Sequence, residues 1–322
     1  MTELFDCRHA FSSKLVELAH KDDRIVLVLN DCLSSSDSLA FLNTFPERVF
    51  DLGIAEQNMV GVAAGLANGG YIPFVCAASC FLTARAFEQI KIDIAYSQAN
   101  VKLCAFSAGI AYGALGPTHH STEDLALMRT LPGLSIYAPG DSLETERALE
   151  FAHDLHGPTF LRINRITVPH LPQTGGFEPG KASTLRDGED VTLISYGPLL
   201  HEVIQAAEIL AESGVEAHIL NMASISPLDE AAIVQSANRT KIVVVVEDHQ
   251  RTGGLFSAVA EVLCNIKSTP VLPINIPNEF SVIGSPQQIF EHYGLIASAI
   301  AVKTKNFIIK IGGSDDGSVT LK

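Results

Sequence analysis

Short apolar runs alternate with amphipathic stretches along the whole chain. In the first half, Ile25–Leu29, Ile72–Val75, Val101–Phe106, Leu134–Tyr137 and Thr159–Ile163 are the runs that predict buried strands. Between them, Ala10–Ala19, Ala55–Ala67, Phe81–Ala95 and Ser142–Leu155 carry helical spacing. Strand and helix in turn imply a mostly parallel sheet covered on both faces. The pattern fails over Arg165–Asp187, where Pro169, Pro172, Pro179, Gly175, Gly176 and Gly180 leave neither periodicity, as in a linker. It restarts with strands at Val191–Ser195, Glu216–Leu220, Lys241–Glu247 and Val271–Ile274, and helices at Leu199–Glu212, Asp229–Ser236 and Leu255–Cys264. Ser285-Pro286-Gln287-Gln288 then opens a terminal helix, with serine as cap, proline at the first helical position and Gln288 able to close a capping box. The expected fold class is α/β: two consecutive parallel-sheet, three-layer α/β/α domains. Their expected bounds are residues 1–165 and 188–310, with the linker at 166–187 and a flexible, glycine-rich tail at 311–322.

Composition narrows the function. A length of 322 residues agrees with two domains. With 22 basic and 36 acidic residues the formal charge is −14, which opposes nucleic acid as the main partner. No apolar run approaches the ~18 residues of a membrane span. The opening MTELFDCRHAF lacks a signal-peptide apolar stretch, so the expected location is the cytoplasm. Six cysteines without a CxxC pair predict free, buried thiols in a reducing compartment.

Two helix starts could carry chemistry. Glu56 heads the face formed by Val60, Ala63 and Ala67. A carboxylate on an apolar face is costly unless it is paired, protonated or bonded to a ligand. A boundary glutamate turned to solvent is the plainer alternative. The second start follows Val101–Phe106. Its loop, Ser107 to Ser121, contains Gly109, Gly113, Gly116 and Pro117 and could wrap closely round a ligand. Loops at the carboxyl ends of parallel strands are where open α/β sheets bind ligands. His119 and His120 precede a helix expected to start at Ser121, and as neighbours they point in different directions. Ala105-Phe106-Ser107-Ala108-Gly109 makes a weak nucleophile elbow, lacking the leading glycine. Arg251-Thr252-Gly253-Gly254 could bind an anion at the start of the Leu255 helix, or simply make a tight turn.

In combination, these motifs resemble the C-terminal half of transketolase. The resemblance covers Phe50-Asp51-Leu52-Gly53-Ile54-Ala55-Glu56-Gln57-Asn58, Gly65-Leu66-Ala67, Pro73-Phe74, Phe81 and Arg85-Ala86-Phe87-Glu88-Gln89. It continues through Gly116-Pro117-Thr118-His119, Asp124 to Arg129, Gly157 to Arg162, Val246-Glu247-Asp248-His249 and Gly253-Gly254-Leu255. It implies a pyrimidine-binding domain followed by a transketolase C-terminal domain. The Gly-Asp-Gly motif of the family's diphosphate domain is missing. The resemblance therefore implies the C-terminal subunit of a split transketolase, paired with a separate N-terminal subunit that holds most of the Mg²⁺ site.

The implied cofactor is thiamine diphosphate, and the implied reaction is transfer of a two-carbon ketol unit from a ketose to an aldose phosphate. By resemblance, Glu56 hydrogen-bonds the aminopyrimidine, Phe81 packs on it, and Ile54 belongs to the same cofactor site. His119 contacts substrate near the reacting carbonyl, Arg165 grips a sugar phosphate, and Ser107 lies among the substrate contacts. A dimer of this chain within a heterotetramer is the implied assembly. The sequence departs from the family at Ser107, where an imidazole is usual, at Leu115, where an aspartate contacts a donor hydroxyl, and at Ala78, where an aromatic is frequent. These departures fit an altered donor, such as a branched or sulfonated sugar. The beta subunit of a 2-oxo-acid dehydrogenase and a degenerate, non-catalytic subunit are the rival readings.

Overall fold

The computed structural model describes residues 3–172, 176–265 and 269–312. The first six strands are β1 (Ile25–Leu29), β2 (Val49–Asp51), β3 (Ile72–Ala78), β4 (Lys102–Phe106), β5 (Ser135–Tyr137) and β6 (Thr159–Ile163). The second half adds β7 (Ser183–Arg186), β8 (Val191–Ser195), β9 (Ala217–Asn221), β10 (Ser224–Ser226), β11 (Val243–Gln250) and β12 (Val271–Ile276). Two sheets result, ordered β10-β5-β6-β4-β3-β1-β2 and β12-β11-β8-β9-β7. Every pairing is parallel except those of β10 with β5 and β7 with β9. This is the expected α/β class.

The helices are α1 (Cys7–Ala19), α2 (Leu39–Thr44), α3 (Glu56–Asn68), α4 (Phe87–Gln89), α5 (Asp124–Arg129), α6 (Ser142–Asp154), α7 (Leu199–Glu212), α8 (Glu230–Thr240), α9 (Leu255–Leu263), α10 (Pro286–Tyr293) and α11 (Ala297–Gly312). Alternation along β1 divides its side chains between layers: Val28 joins Met59, Val60 and Ala63 of α3, while Leu27 and Leu29 join Phe11 of α1 and Leu149 of α6. The layer holding α3 continues into Ile194, Val243 and Val245 of the second sheet and Leu255 of α9. One apolar core thus runs beneath both sheets.

Several local expectations are corrected. The stretch expected as one helix, Phe81–Ala95, winds as π-helix over Phe81–Arg85 and Ile90–Tyr96 around the short α4. The helix expected from Ser121 begins at Asp124, because Ser121 pairs its backbone with Gly109 instead. The terminal helix opens on the expected Ser285 capping box but breaks at Gly294, whose φ of 65° closes α10 before α11 begins. Ile311 and Gly312, expected in the tail, end α11, and 313–322 lie outside the described residues. Gly175, used as a linker signal, lies outside them too. Within 166–187 the chain forms the edge strand β7. β10 crosses back to the first sheet, pairing Ser224 with Tyr137. Cys264 is exposed, against expectation, while the other five cysteines are buried and all six are free. Among the described residues no helix is long and apolar enough to cross a membrane.

Candidate active site

A cavity of 390 Å³ opens at the carboxyl ends of β1 and β3. Its lining includes Asn30 just past β1, Ile54 and Glu56 at the start of α3, Phe81 and Arg85 after β3, and Tyr112, Leu115 and His119 from the loop after β4. The turn into α3 is held by Asp51, whose Oδ1 accepts the N–H groups of Asp31 at 2.9 Å and Gly53 at 3.1 Å. Gly53, at a φ of 67°, lets the chain reverse there. Ile54 is left 77% exposed at the mouth and Glu56 is turned inward.

Glu56 is 1% exposed, so the solvent-facing alternative is excluded. Its Oε1 accepts from Asn30 Nδ2 at 2.9 Å and its Oε2 from Arg85 Nη1 at 2.7 Å. Burial alone pushes the carboxyl up, but the Arg85 guanidinium, the helix-start backbone and the Asn30 amide together hold it below the ordinary value. The guanidinium carbon of Arg85 also lies 4.7 Å from the centre of the Phe81 ring. His119 meets Phe81 edge-on, 5.1 Å between centroids, and Tyr112 at 5.9 Å. Its Nδ1 is 3.0 Å from the Thr118 hydroxyl. His120 turns away as expected: its Nε2 donates to the Gly113 carbonyl at 3.1 Å, and burial lowers its pKa.

Four of the six expected site residues therefore share the cavity: Ile54, Glu56, Phe81 and His119. Arg165 is not in the lining, but its guanidinium carbon lies 4.8 Å from the centre of the ring of Tyr112, which is. Ser107 is not in the lining. It is buried at a φ of 56°, with an Oγ that has no hydrogen-bond partner among the described residues. Arg85, Asn30 and Tyr112 carried no expected role. Arg85 was legible in principle, because it lies four residues after Phe81 and so close to the same helical face. Asn30 could be placed only once the strand order was known.

The glycines of that loop close on protein, while Tyr112, Leu115 and His119 beside them face the cavity. A Cβ on Gly109 would strike the Asp248 carboxylate, and one on Gly113 the Gly284 carbonyl. Behind Gly109, the buried Arg162 bridges the two halves of the chain: Nε donates to Asp124 Oδ2 at 3.0 Å and Nη1 to Asp248 Oδ1 at 2.7 Å. Ser79, two residues before Phe81, donates to Asp124 Oδ2 at 2.9 Å and accepts from Ser121 at 2.9 Å. The α9 N-terminus, considered for an anion, is filled by Glu247, which accepts from Leu255 N at 2.7 Å and Phe256 N at 3.2 Å. The tight-turn alternative holds there. Among the described residues, no group of three or more His, Cys, Asp or Glu could hold a metal ion.

Residues 4–170 match the model of the transketolase pyrimidine binding domain, and residues 180–300 that of the transketolase C-terminal domain. An apulose-4-phosphate transketolase subunit of Phocaeicola vulgatus is 42% identical over 306 residues, spanning 94% of this chain and 98% of that protein. The 6-deoxy-6-sulfo-D-fructose transketolase subunit SqwH of Clostridium sp. is 38% identical over 296 residues, 91% of each chain. A solved structure described as a split gene transketolase, inactive beta4 tetramer, superposes with a TM-score of 0.84 at 36% identity, covering 94% of this chain and 98% of that one. Two matching domain models, close relatives over nearly the full length and the same fold lead to one conclusion: the chain belongs to the transketolase family.

Proposed function

We propose that this chain is the C-terminal subunit of a two-subunit, thiamine diphosphate-dependent transketolase, moving a two-carbon ketol unit from a ketose donor to an aldose phosphate. One observation carries the reading. A buried glutamate at a helix start, an aromatic ring and a histidine converge on one cleft at the carboxyl ends of parallel strands. The residues fit the pyrimidine half of the cofactor. Glu56 offers a buried carboxylate, Phe81 and Ile54 offer apolar surface, and the buried Asn30 Oδ1 has no partner among the described residues. They do not fit the diphosphate and Mg²⁺, which fall to the partner subunit.

The cofactor, when bound, supplies a nucleophilic carbon able to hold the transferred fragment's electrons. Glu56 holds a proton against the aminopyrimidine nitrogen, a task suited to a carboxyl whose pKa depends on what pairs with it. Phe81 and Ile54 fix the ring plane and exclude water. His119, facing the cavity, donates to oxygen as negative charge develops on the substrate. Arg165, beside Tyr112, binds an anionic substrate end through its guanidinium. Leu115, 53% exposed in the same lining, offers no hydrogen bond to a donor hydroxyl. That favours a donor with an altered carbon skeleton or substituent, and the relatives named for apulose 4-phosphate and sulfofructose are consistent with it. Leu115 also supports a second reading, a subunit that keeps the fold without the chemistry.

Calorimetric titration of thiamine diphosphate with Mg²⁺ separates these readings. Binding is expected to the co-expressed pair and not to this chain alone, and Glu56→Ala should abolish it. Tight binding to the chain alone overturns the two-subunit assignment. No binding to a folded pair favours the non-catalytic subunit.

A further inference from the structure

We propose that Arg85 is a resident stand-in for the aminopyrimidine: its guanidinium fills the seat between Glu56 and Phe81 and must swing into solvent before the ring can enter. The inference rests on the cofactor reading above. Two contacts support it, the 2.7 Å hydrogen bond from Nη1 to Glu56 Oε2 and the approach of the guanidinium carbon to 4.7 Å from the Phe81 ring centre. Those are the carboxylate and the aromatic face assigned to the ring. A guanidinium is planar with N–H donors along its edge, so toward a carboxylate it resembles an aminopyrimidine protonated at its ring nitrogen. Asn30 engages the other carboxylate oxygen, so protein groups alone satisfy Glu56. Without Arg85, the free chain would bury a carboxylate with only the Asn30 amide and the helix-start backbone to compensate it and no counter-charge, which is costly.

The same residue is built to leave. Its side chain is 47% exposed, whereas that of Glu56 is 1% exposed. Glu56 is its one hydrogen-bond partner among the described residues. Solvation of the guanidinium therefore offsets much of what departure costs. The residue closes the π-helical turn Phe81–Arg85, and turns of this kind frequently mark functional sites. The exchange has a chemical consequence. Once the guanidinium leaves, the positive charge that holds the Glu56 carboxyl low leaves with it. A carboxyl freed of that charge retains a proton more readily, as sharing one with a ring nitrogen requires. Arg85 is thus a positioning residue that couples ring entry to the protonation state of Glu56.

The test uses the free ring fragment, 4-amino-5-hydroxymethyl-2-methylpyrimidine, titrated into this chain alone. Arg85→Met and Arg85→Gln should bind it at least about tenfold tighter than wild type, the scale expected when a charge-assisted hydrogen bond no longer competes. Arg85→Lys, which keeps the charge and loses the planar guanidinium, should fall between. Melting curves confirm that each variant is folded. Equal or weaker binding in both Met and Gln variants overturns the proposal, because it makes Arg85 a supporting contact or a bystander. The cofactor reading fails by a different result: thiamine diphosphate binding to the two-chain complex that is indifferent to Glu56→Ala. If no variant of the isolated chain binds the fragment while the complex binds the cofactor through Glu56, the Arg85 proposal alone falls.

Discussion

Two arginines meet buried carboxylates in this protein. Arg162 is itself buried, 2% exposed in its side chain, and lies between Asp124 of the first half and Asp248 of the second. Arg85 is half in solvent and holds a single buried carboxylate, Glu56. In the first arrangement every charge has left water, so each depends on the others for compensation. In the second only one partner has paid that desolvation cost, and the other can return to water. Arg162 is accordingly a fixed joint, and Arg85 a reversible one. The contrast separates what holds the two halves together from what the cavity can exchange.

The sharpest way to break this comparison is to remove the joint. Arg162→Met leaves Asp124 and Asp248 buried without their counter-charge. It should cost about 3–5 kcal/mol in urea unfolding of the isolated chain. A loss below about 1 kcal/mol would show that the carboxylates can be neutralised or solvated, and that the joint resembles the cavity pair after all.

His249 tests the same seam through pH. It donates from Nδ1 to the Gln250 carbonyl at 2.6 Å and accepts the Ala126 N–H at 3.3 Å. Burial lowers its pKa to about 4 from an ordinary 6.5. The unfolded chain therefore binds more protons than the folded one between those values. The His249 contribution is fully present above pH 6.5 and is lost as pH falls toward 4. Over that window it amounts to about 3 kcal/mol. In His249→Asn, the loss of stability between pH 6.5 and 4 should be smaller than in wild type by about that much. Glu144 and Glu247, both pushed up to about 7 by burial, act in the opposite direction and are common to both proteins. Parallel pH profiles would mean that the seam admits water and that His249 charges within the fold.

The smallest expected effect sharpens the comparison from the other side. Glu56→Gln keeps an acceptor for Arg85 and leaves a guanidinium already half in water. Thermal and urea unfolding should shift by no more than about 1 kcal/mol. A penalty as large as that of Arg162→Met would mean that Glu56 belongs to the structural frame.

How much of this was legible depends on the residue. Glu56 was, because a carboxylate at the head of an apolar helical face is an anomaly in one dimension. Phe81, Ile54 and His119 were legible only through resemblance, since nothing in their own spacing singles them out. Arg85 appeared within a matched motif but acquired a role only when a π-turn set its guanidinium over Phe81. The glycines of the 107–121 loop looked like a ligand cradle. Gly109, Gly113 and Gly116 are instead points where Asp248, Gly284 and Ile283 of the second half press against the first. Ser107 looked like a substrate contact and is buried outside the cavity lining.

The sequence by itself determined the alternation of buried strands and helices, the α/β class, the family and the anomalous carboxylate at the head of α3. These follow from local periodicity and from short motifs, which contiguous residues carry. The tertiary structure decided the return of β10 to the first sheet, the Asp124–Arg162–Asp248 joint and the meeting of Arg85 with Glu56. The partners in these contacts lie 87, 86 and 29 residues apart in the chain. No periodicity links positions so distant. They are chosen by which surfaces come together once the strands are ordered, and by the cost of leaving any buried charge without a partner.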